Sequence, residues 1–549
     1  MTQRPMLLLF ATSLLFACGK VSTLGHGRDS SNQSAQGGTG GGQTTPAGGA
    51  AGVTMLGIAG GATPVGGAGS GSADSGGVAG MGGGPARDPE CVSAVKVEGN
   101  LQVSAPSNTA LLVGEVTGDV KIDAETSDLP QLRCLETVGN DLDVHIANGD
   151  LSVLGRLRAV HINLTIHGNH DIRDLSSLSS LSSVGTALTI EDNDALVDLS
   201  GLENLDNVFE LNIRNNPKLE NLNALSKLAL RGGDIEIAGN QALVDVTGLR
   251  RIARVKKLTI GENPLLPNLA GLDGVSDVSD VSIIANDALI NLDGLLGVKS
   301  VHDLEVRDNQ ALSDLAGLSN LATARSIRLS NNVALTNIDA LRTSLTSLDY
   351  FELTGSPKVT NVEGLGNLAS IGGFYLDTSG VTTLSGFRNL RQIGDFTIGD
   401  IKIKDLTGLD RAKFTGESGY INIFSANELE SLRGLSTDFG ELGAVTISGN
   451  AKLRDFSEFT AAVSSIGLLS ISSNPKLESL TGLENLERLG GFVLTDSVLT
   501  SLAPLDGLQS ISDDADIERN PNLSNCEIQA FVERTGAATS TLMANGPCN

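Results

Sequence analysis

The feature that most constrains the fold of this chain is a motif that recurs every 22 to 25 residues. Its clearest copy starts at Leu188 and reads L-x-I-x-x-N-x-x-L-x-x-L-x-G-L. Val144 and Ile122 precede the regular series at steps of 22 residues, which indicates two or three weaker turns before it. A period of this length predicts one continuous stack of repeats rather than separate globular domains. The third position of the motif marks sixteen turns, at Ile166, Ile190, Ile213, Ile237, Ile260, Ile283, Val306, Leu329, Leu353, Leu376, Ile398, Ile423, Ile447, Ile471, Leu494 and Ile517.

Each part of the motif has a physical role. The alternation L-x-I is typical of a short strand with both aliphatic side chains on its inner side. A fixed period stacks these strands in parallel, about 4.8 Å apart. The inward asparagine must find hydrogen-bond partners, which adjacent turns can supply, and the later leucines return the chain along a second wall. A lone turn cannot offset its ordering entropy by burial, so each turn needs its neighbours.

The motif resembles the leucine-rich repeat through L-x-I-x-x-N, although the next aliphatic residue follows the asparagine by three positions. It is more similar to the receptor L-domain. The residues that carry this resemblance are Cys91, the segment Val95-Lys-Val97-Glu-Gly99-Asn100-Leu101, and links such as Gly201-Leu202-Glu-Asn-Leu205. The resemblance implies a mainly β, right-handed solenoid over residues 91–525, with one short parallel strand per turn. It also implies a protein-binding or cell-surface role without catalysis.

The N-terminus predicts secretion and lipid attachment. An apolar run from Met6 to Phe16 follows Arg4, which is typical of a signal peptide covering residues 1–17. Leu15-Phe16-Ala17-Cys18 resembles a lipobox, which implies that Cys18 becomes a lipid-modified N-terminus that holds the protein on a membrane. An ordinary cleaved signal is the alternative. Gly19 in place of aspartate implies delivery to the outer membrane, with the protein at the cell surface or on the periplasmic face. Residues 18–90 are rich in glycine, alanine and serine and predict a flexible tether.

The remaining cysteines predict one disulfide at each end of the solenoid. Four cysteines allow three pairings, and pairing within each end is favoured because the stack separates the ends. We therefore expect Cys91–Cys134 and Cys526–Cys548. The second would close a C-terminal cap over residues 526–549, in which Ser524 or Asn525 starts a helix that ends at Gly536.

Charge and motifs exclude several classes of function. The chain has 64 acidic and 38 basic residues, a net charge of −26, which disfavours nucleic acid as a partner. The strings G-x-S-x-G and H-E-x-x-H, the P-loop and the EF-hand do not occur in the sequence. We therefore expect no cofactor, no enzymatic activity and a monomer.

Two sets of outward positions are candidate sites. The column that follows the marker position begins with Asp123, His145, His167 and Glu191, whose spacing could hold a divalent metal, although a solvated polar column is the alternative. The second set is aromatic. The chain has 14 Phe, 3 Tyr and no Trp, and most of the aromatic residues follow residue 350. Four phenylalanines replace the inward leucine of L-x-I and are predicted to be core, at Phe351, Phe374, Phe396 and Phe492.

Tyr375 and Phe424 are instead predicted to point outward, where they could anchor a protein or glycan ligand. The sequence thus favours a lipid-anchored envelope protein that presents a rigid acidic solenoid for adhesion or recognition. A structural spacer without a specific ligand is the alternative. A glycan-acting enzyme is a third hypothesis, which the single strand per turn disfavours.

Overall fold

The computed structural model describes residues 89–107, 111–342, 345–415, 419–435, 442–457, 459 and 463–548. The predicted signal peptide, Cys18 and the predicted tether up to residue 88 lie outside these residues. Pro89 and Glu90, assigned to the tether, belong to a 3₁₀ turn that ends at Cys91.

The fold is a solenoid built on one long parallel sheet, here called the main sheet. Each turn contributes one strand, and consecutive strands pair in chain order. The predicted fold class is therefore confirmed. In the part of the chain that the structure describes, the main strands of this sheet are Leu101–Val103, Val120–Ala124, Leu142–Ile146, Leu164–His167, Ala187–Glu191, Glu210–Arg214, Ile235–Ala238, Arg254–Gly261, Asp277–Ile284, Asp303–Arg307, Ser326–Ser330, Ser347–Thr354, Ser370–Asp377, Gln392–Gly399, Tyr420–Phe424, Leu442–Ser448, Ser465–Ser472, Arg488–Thr495, Asp514–Glu518 and Thr539–Met543.

The register of the main sheet follows the sequence period. Ile190 pairs with Ile166 on one side and with Ile213 on the other. Val144 lies in the same column, between Ile122 and Ile166. The weaker turns predicted at Val144 and Ile122 are therefore real turns of the solenoid. Because one aliphatic position pairs with itself in every turn, the inner columns form a continuous apolar core.

A second set of short strands precedes the main strands in the first turns. They pair in parallel as a five-stranded and a two-stranded sheet. From Arg254 onward several main strands are eight residues long, and the second pairing is then part of the main strand, as Val255 with Val278 shows. These short strands are Val95–Val97, Val113–Val116, Thr137–Val138, Ala159–Val160 and Ser183–Val184, then Asn207–Val208 and Ala229–Leu230, with Lys413–Phe414 and Ser510–Ile511 added to main strands further on.

The wall opposite the main sheet is made of leucines and single 3₁₀ turns. Leu196, Leu199 and Leu202 are buried as the three-residue spacing predicted. Many of these turns start with an aspartate or asparagine that accepts from the backbone two residues later, as Asp174 does from Ser176. The 3₁₀ segments are Pro89–Cys91, Pro130–Leu132, Ser152–Leu154, Ser176–Leu178, Asn223–Leu225, Thr247–Leu249, Asp293–Leu295, Ala316–Leu318, Asp339–Leu341, Glu363–Leu365, Ser385–Asn389 and Ala503–Leu505.

The glycine of L-x-G-L is required by close approach between turns. A Cβ at Gly317 would overlap the carbonyl oxygen of Leu292, and one at Gly248 would overlap that of Leu222. The turns therefore pack backbone against backbone at this wall.

The inward asparagines form a buried hydrogen-bonded column, here called the Asn ladder. Asn286 shows the pattern: its Oδ1 accepts from the backbone N–H of Asn263 at 3.2 Å, and its Nδ2 donates to the carbonyl of Ile260 at 3.0 Å. Each asparagine thus ties its own turn to the one before it, which satisfies buried groups that water cannot reach. Eight fully buried members form the first segment, Asn169, Asn193, Asn216, Asn240, Asn263, Asn286, Asn309 and Asn332.

The residue before the ladder position bends the chain out of the strand in a left-handed conformation. Asn215, Glu262 and Ala285 have φ of 52°, 54° and 54°. Gly239 takes the same position in its turn with φ of 72°. A non-glycine residue is strained in this region of φ.

The Asn ladder stops over four consecutive turns, where Ser356, Ser379, Ile401 and Ala426 take its position. It resumes at Asn450, whose Oδ1 accepts from the N–H of Ala426 at 3.0 Å. The core of the interrupted turns is aromatic. The rings of Phe351 and Phe374 stack at 5.8 Å between centroids, and those of Phe374 and Phe396 at 5.7 Å. The predicted inward positions of Phe351, Phe374, Phe396 and Phe492 are confirmed by their burial.

Both ends of the solenoid are closed as predicted. Disulfides join Cys91 to Cys134 and Cys526 to Cys548. The C-terminal helix is Asn525–Thr535, whose N-cap Ser524 accepts from the N–H of Cys526 and whose C-cap Gly536 is left-handed.

The main sheet extends further than the predicted end of the solenoid at residue 525. Thr539–Met543 pairs in parallel with Asp514–Glu518, so the cap itself contributes the last strand. Over the described ranges, no helix is both long enough and apolar enough to cross a membrane.

Candidate binding surface

The outward face of the main sheet is the surface that the repeat presents most regularly. On each strand, three positions point outward: the residue before the first inward aliphatic, the residue between the two, and the residue after the second. Because the strands are in register, these positions form a leading, a middle and a trailing column. Side chains from adjacent strands therefore lie about 4.8 Å apart along each column.

The predicted metal column lies at the N-terminal end of this face, in the trailing column. Asp123 and His145 are neighbours, with 3.0 Å between Oδ1 and Nδ1. The rings of His145 and His167 stack with centroids 5.5 Å apart. The Nε2 of His167 lies 2.8 Å from the Oδ1 of Asp143 in the middle column.

Glu191 is instead paired with Arg214, with 2.8 Å between Oε2 and Nη2. The four predicted ligands therefore do not converge on one point. Within the described part of the chain, no group of three or more His, Cys, Asp or Glu side chains is arranged to hold a metal ion.

The aromatic candidates lie on the strands where the Asn ladder is interrupted. Tyr375 is in the middle column and Phe424 in the trailing column, both outward as predicted and both half-buried. Two further tyrosines lie in the leading column: Tyr350 on the strand before that of Tyr375, and Tyr420 on the same strand as Phe424. We call Tyr350, Tyr375, Tyr420 and Phe424 the aromatic patch. It contains all three tyrosines of the 549-residue chain.

The floor of the aromatic patch is made of small residues. A Cβ at Gly373 would lie 2.9 Å from Cδ2 of Tyr350, so the Tyr350 ring lies across this glycine. In the same way, a Cβ at Gly399 would overlap the ring of Phe424. Thr397 lies in the middle column on the same strand as Gly399 and is only 3% exposed. The rings of Tyr350 and Phe424 thus lie over the sheet, and Tyr420 is the most exposed member of the patch, at 39%.

Carboxylates surround the aromatic patch. Glu352 accepts from the hydroxyl of Tyr350 at 3.2 Å. Asp395 accepts from the backbone N–H of Tyr420 at 3.3 Å. Asp377 lies in the trailing column, beside Gly399 of the next strand, and Phe424 occupies the same column one strand beyond Gly399. Its Oδ1 is buried and accepts no hydrogen bond.

Burial perturbs the titration of these groups. Burial and then the charge of Glu352 raise the pKa of Tyr350 to about 12. Burial raises the pKa of Tyr375, with Asp377 as the next cause. Burial also raises the pKa of Asp377 and of Asp395. The patch is therefore a partly desolvated region that disfavours the negative charges it contains.

Two members of this surface were not predicted from the sequence. Tyr350 and Tyr420 precede the inward Phe351 and Ile421, whereas the predicted Tyr375 and Phe424 lie between or after inward residues. The alternation of inward and outward residues along a strand predicts both positions, because the residue before an inward strand residue also points outward.

The geometry defines a class: this chain folds as a leucine-rich-repeat-like solenoid with its sheet face exposed. Similar solved structures include an internalin from Listeria monocytogenes, at 20% identity over 66% of this chain and 81% of that one, with a TM-score of 0.32. A leucine-rich repeat protein from Leptospira interrogans is 18% identical over 72% and 95%, with a TM-score of 0.37. Another from Bacteroides eggerthii is 12% identical over 74% and 70%, with a TM-score of 0.40. No protein-family model and no curated protein matches the sequence.

Proposed function

We propose that this chain is a lipid-anchored envelope protein that binds another protein through the aromatic patch. The observation that carries the proposal is the concentration of every tyrosine of the chain, with Phe424, on neighbouring strands of one exposed face. Large aromatic side chains are the residues that most often contribute binding energy at the centre of an interface. Core packing cannot account for these rings, because the inward positions of the same strands hold a separate set of aliphatic and phenylalanine side chains.

The regular solenoid supports a binding role in a second way. The outward columns are fixed by the paired strands, so a ligand would meet a surface that is already organised and loses little conformational entropy on binding. The rest of the sheet face is mostly polar and its charges are often paired within the chain, as Arg214 is with Glu191 and Glu236. The aromatic patch differs from these turns both in its residues and in the interrupted Asn ladder beneath it.

We further propose that Cys18 carries lipid and that the following glycine-rich segment lets the solenoid extend from the outer membrane. Cys18→Ser should then leave an unlipidated chain that no longer sediments with membranes. Mass spectrometry of the mature N-terminus would measure this directly, and protease treatment of intact cells would distinguish the cell surface from the periplasmic face. Membrane association that persists unchanged in Cys18→Ser contradicts the anchor.

The binding proposal is tested by comparing the captured proteins. The purified full chain, Tyr420→Ala and a control Leu265→Ala would each be incubated with the same extract of surface proteins. Leu265 is 54% exposed but follows Asn263, outside the outward columns of the sheet. We expect at least one protein that the wild type and Leu265→Ala retain and that Tyr420→Ala loses by tenfold or more.

Three outcomes separate the hypotheses. Equal capture by all three forms would reject the aromatic patch as a protein-binding site and leave the structural spacer. Patch-dependent binding to a glycan array, without a protein ligand, would replace the protein by a glycan. Cleavage of an arrayed glycan would support the enzyme hypothesis.

A further inference from the structure

We propose that the aromatic patch receives a cationic side chain, arginine in preference to lysine, from a basic segment of its protein partner. This inference rests on the proposed function and adds the chemistry of the ligand. It follows from the combination of outward aromatic rings with two carboxylates, Asp377 and Asp395, that form no ion pair with any described residue.

Asp377 and Asp395 differ from the acids of the sheet face that are paired within the chain. Among the described residues, no Lys, Arg or His side chain forms an ion pair with Glu352, Asp377 or Asp395. Elsewhere on the face, Arg214 bridges two glutamates at 2.8 and 3.1 Å. Asp377 and Asp395 therefore carry negative charge without an ion-pair partner among the described residues, whereas Glu352 has Arg328 beside it on the neighbouring strand.

Asp377 is the carboxylate with the clearest unmet requirement. Its Oδ1 is buried and accepts no hydrogen bond, so one of its oxygens has been desolvated without compensation. It lies two residues from Tyr375 on its own strand and two strands from Phe424, whose ring lies over the intervening Gly399. A guanidinium placed there would contact an aromatic ring and a carboxylate together.

The chain already contains this arrangement at the edge of the patch. The guanidinium carbon of Arg328 lies 5.3 Å from the centre of the Tyr350 ring. One of its nitrogens is 3.8 Å from the Oδ1 of Asp303. One arginine of the chain is thus held by an aromatic ring and a carboxylate. Tyr375 with Asp377, and Tyr420 with Asp395, offer the same two groups to an arginine of a partner protein.

Charge complementarity selects this partner over others. The net charge of the chain is −26, so a polyanion would be repelled. A neutral glycan could stack on the rings but would leave Asp377 and Asp395 without a counter-charge. Arginine is favoured over lysine because its planar group stacks on a ring while it donates in its own plane to a carboxylate.

The chain provides its own optical probe for the test. It contains no tryptophan, and its three tyrosines all belong to the patch, so intrinsic tyrosine fluorescence reports events there. The ligand is a synthetic Gly/Ser peptide with three arginines, which does not fluoresce. Matched peptides carry lysine or citrulline instead of arginine, citrulline being nearly isosteric with arginine but uncharged.

We expect saturable binding of the arginine peptide, weaker binding of the lysine peptide, and at least tenfold weaker binding of the citrulline peptide. Asp377→Asn should weaken the arginine peptide by roughly fivefold or more. The control is Asp516→Asn, which removes an acid from the middle column six strands beyond Tyr375, and should change the affinity less than twofold. Circular dichroism and thermal melting would show that both variants remain folded.

Equal binding of the citrulline peptide would overturn the cationic subsite. Equal weakening by Asp377→Asn and Asp516→Asn would also overturn it, because binding would then reflect the general negative charge. If these tests fail while Tyr420→Ala still loses a captured protein, the patch binds a partner by other chemistry and the proposed function stands. If both fail, the proposed function falls as well.

Discussion

Replacing Asn286 by alanine tests how much the Asn ladder contributes to the fold. The side chain is fully buried, and it connects its turn to both neighbours, since its Oδ1 accepts from Asn263 and its Nδ2 donates to the Oδ1 of Asn309. Its loss leaves the backbone N–H of Asn263 without its acceptor at 3.2 Å and removes the donor to the carbonyl of Ile260 at 3.0 Å. The carbonyl of Ile284 keeps a second donor, the N–H of Glu262 at 2.8 Å, and so loses less.

The expected cost follows from these groups. A buried donor left unpaired costs about 1–3 kcal/mol, and the loss of a further hydrogen bond costs about 1 kcal/mol. The free energy of opening the turn should therefore fall by about 2–4 kcal/mol. A solenoid of many turns need not unfold in two states, so a local measurement is needed.

Amide hydrogen exchange provides this measurement. In Asn286→Ala, the amide of Asn263 should exchange roughly 30- to 700-fold faster, since each 1.4 kcal/mol is a factor of ten. Ser379→Ala is the matched control. Ser379 occupies the same position of the repeat and is 5% exposed, but its hydroxyl forms no hydrogen bond. Its replacement should change exchange in its own turn less than threefold.

The reasoning is refuted if protection of Asn263 is unchanged in Asn286→Ala. It is also refuted if Ser379→Ala destabilises its turn as much as Asn286→Ala does. In either case, apolar burial alone would hold the turns together, and the ladder would be dispensable.

Three further predictions follow from described features. Ala285 has φ of 54°, so Ala285→Gly should raise the free energy of unfolding by up to about 1 kcal/mol in urea denaturation, whereas Ala238→Gly, in a strand, should lower it. Hydrogen bonds to Glu363, first from Ser385 and then from Arg388, lower its pKa below 4.5. Because a lowered pKa stabilises the fold above the unfolded value, Glu363→Gln should cost about 1 kcal/mol at neutral pH, and this difference should shrink as pH falls below about 4 in paired denaturation curves. A phenolate titration should show a tyrosine with a pKa of about 12, and Tyr350→Phe should remove one phenolate from the raised part of the curve, where that of Tyr375 remains; a high-pH part that this substitution leaves unchanged would contradict the burial of the Tyr350 ring.

The sequence predicted the fold because its information is periodic. Any residue of the motif meets its own equivalent in the next turn, so the spacing from Ile166 to Ile190 already implies their pairing. The cap was readable for a different reason. Ser524 and Gly536 are typical N-cap and C-cap residues, and they flank an amphipathic segment. Such a helix can be predicted from its own sequence without knowledge of the rest of the fold.

The parts that the sequence did not yield depend on side-chain direction and on very short elements. His145 and His167 are neighbours as the register required, but their rings stack, and Arg214 takes the glutamate that a metal would have needed. The repeat period predicts the distance between neighbouring residues of a column, but it does not predict side-chain orientation or ion pairs such as that of Arg214 with Glu191. The second sheet was missed because a two-residue strand such as Ala159–Val160 has no periodicity of its own.

The interrupted ladder divides the buried polar network into two cooperative blocks that meet beneath the aromatic patch. In a linear array, each turn is coupled mainly to its nearest neighbours, so a change of coupling at one place limits how far unfolding spreads. Phenylalanine stacking maintains contact across that junction, but it lacks the directional bonds that fix one turn on the next. A ligand lying across the strands from Ser347 to Phe424 would bridge the two blocks from outside. Occupancy should therefore stiffen the solenoid along its length, well beyond the residues that the ligand touches.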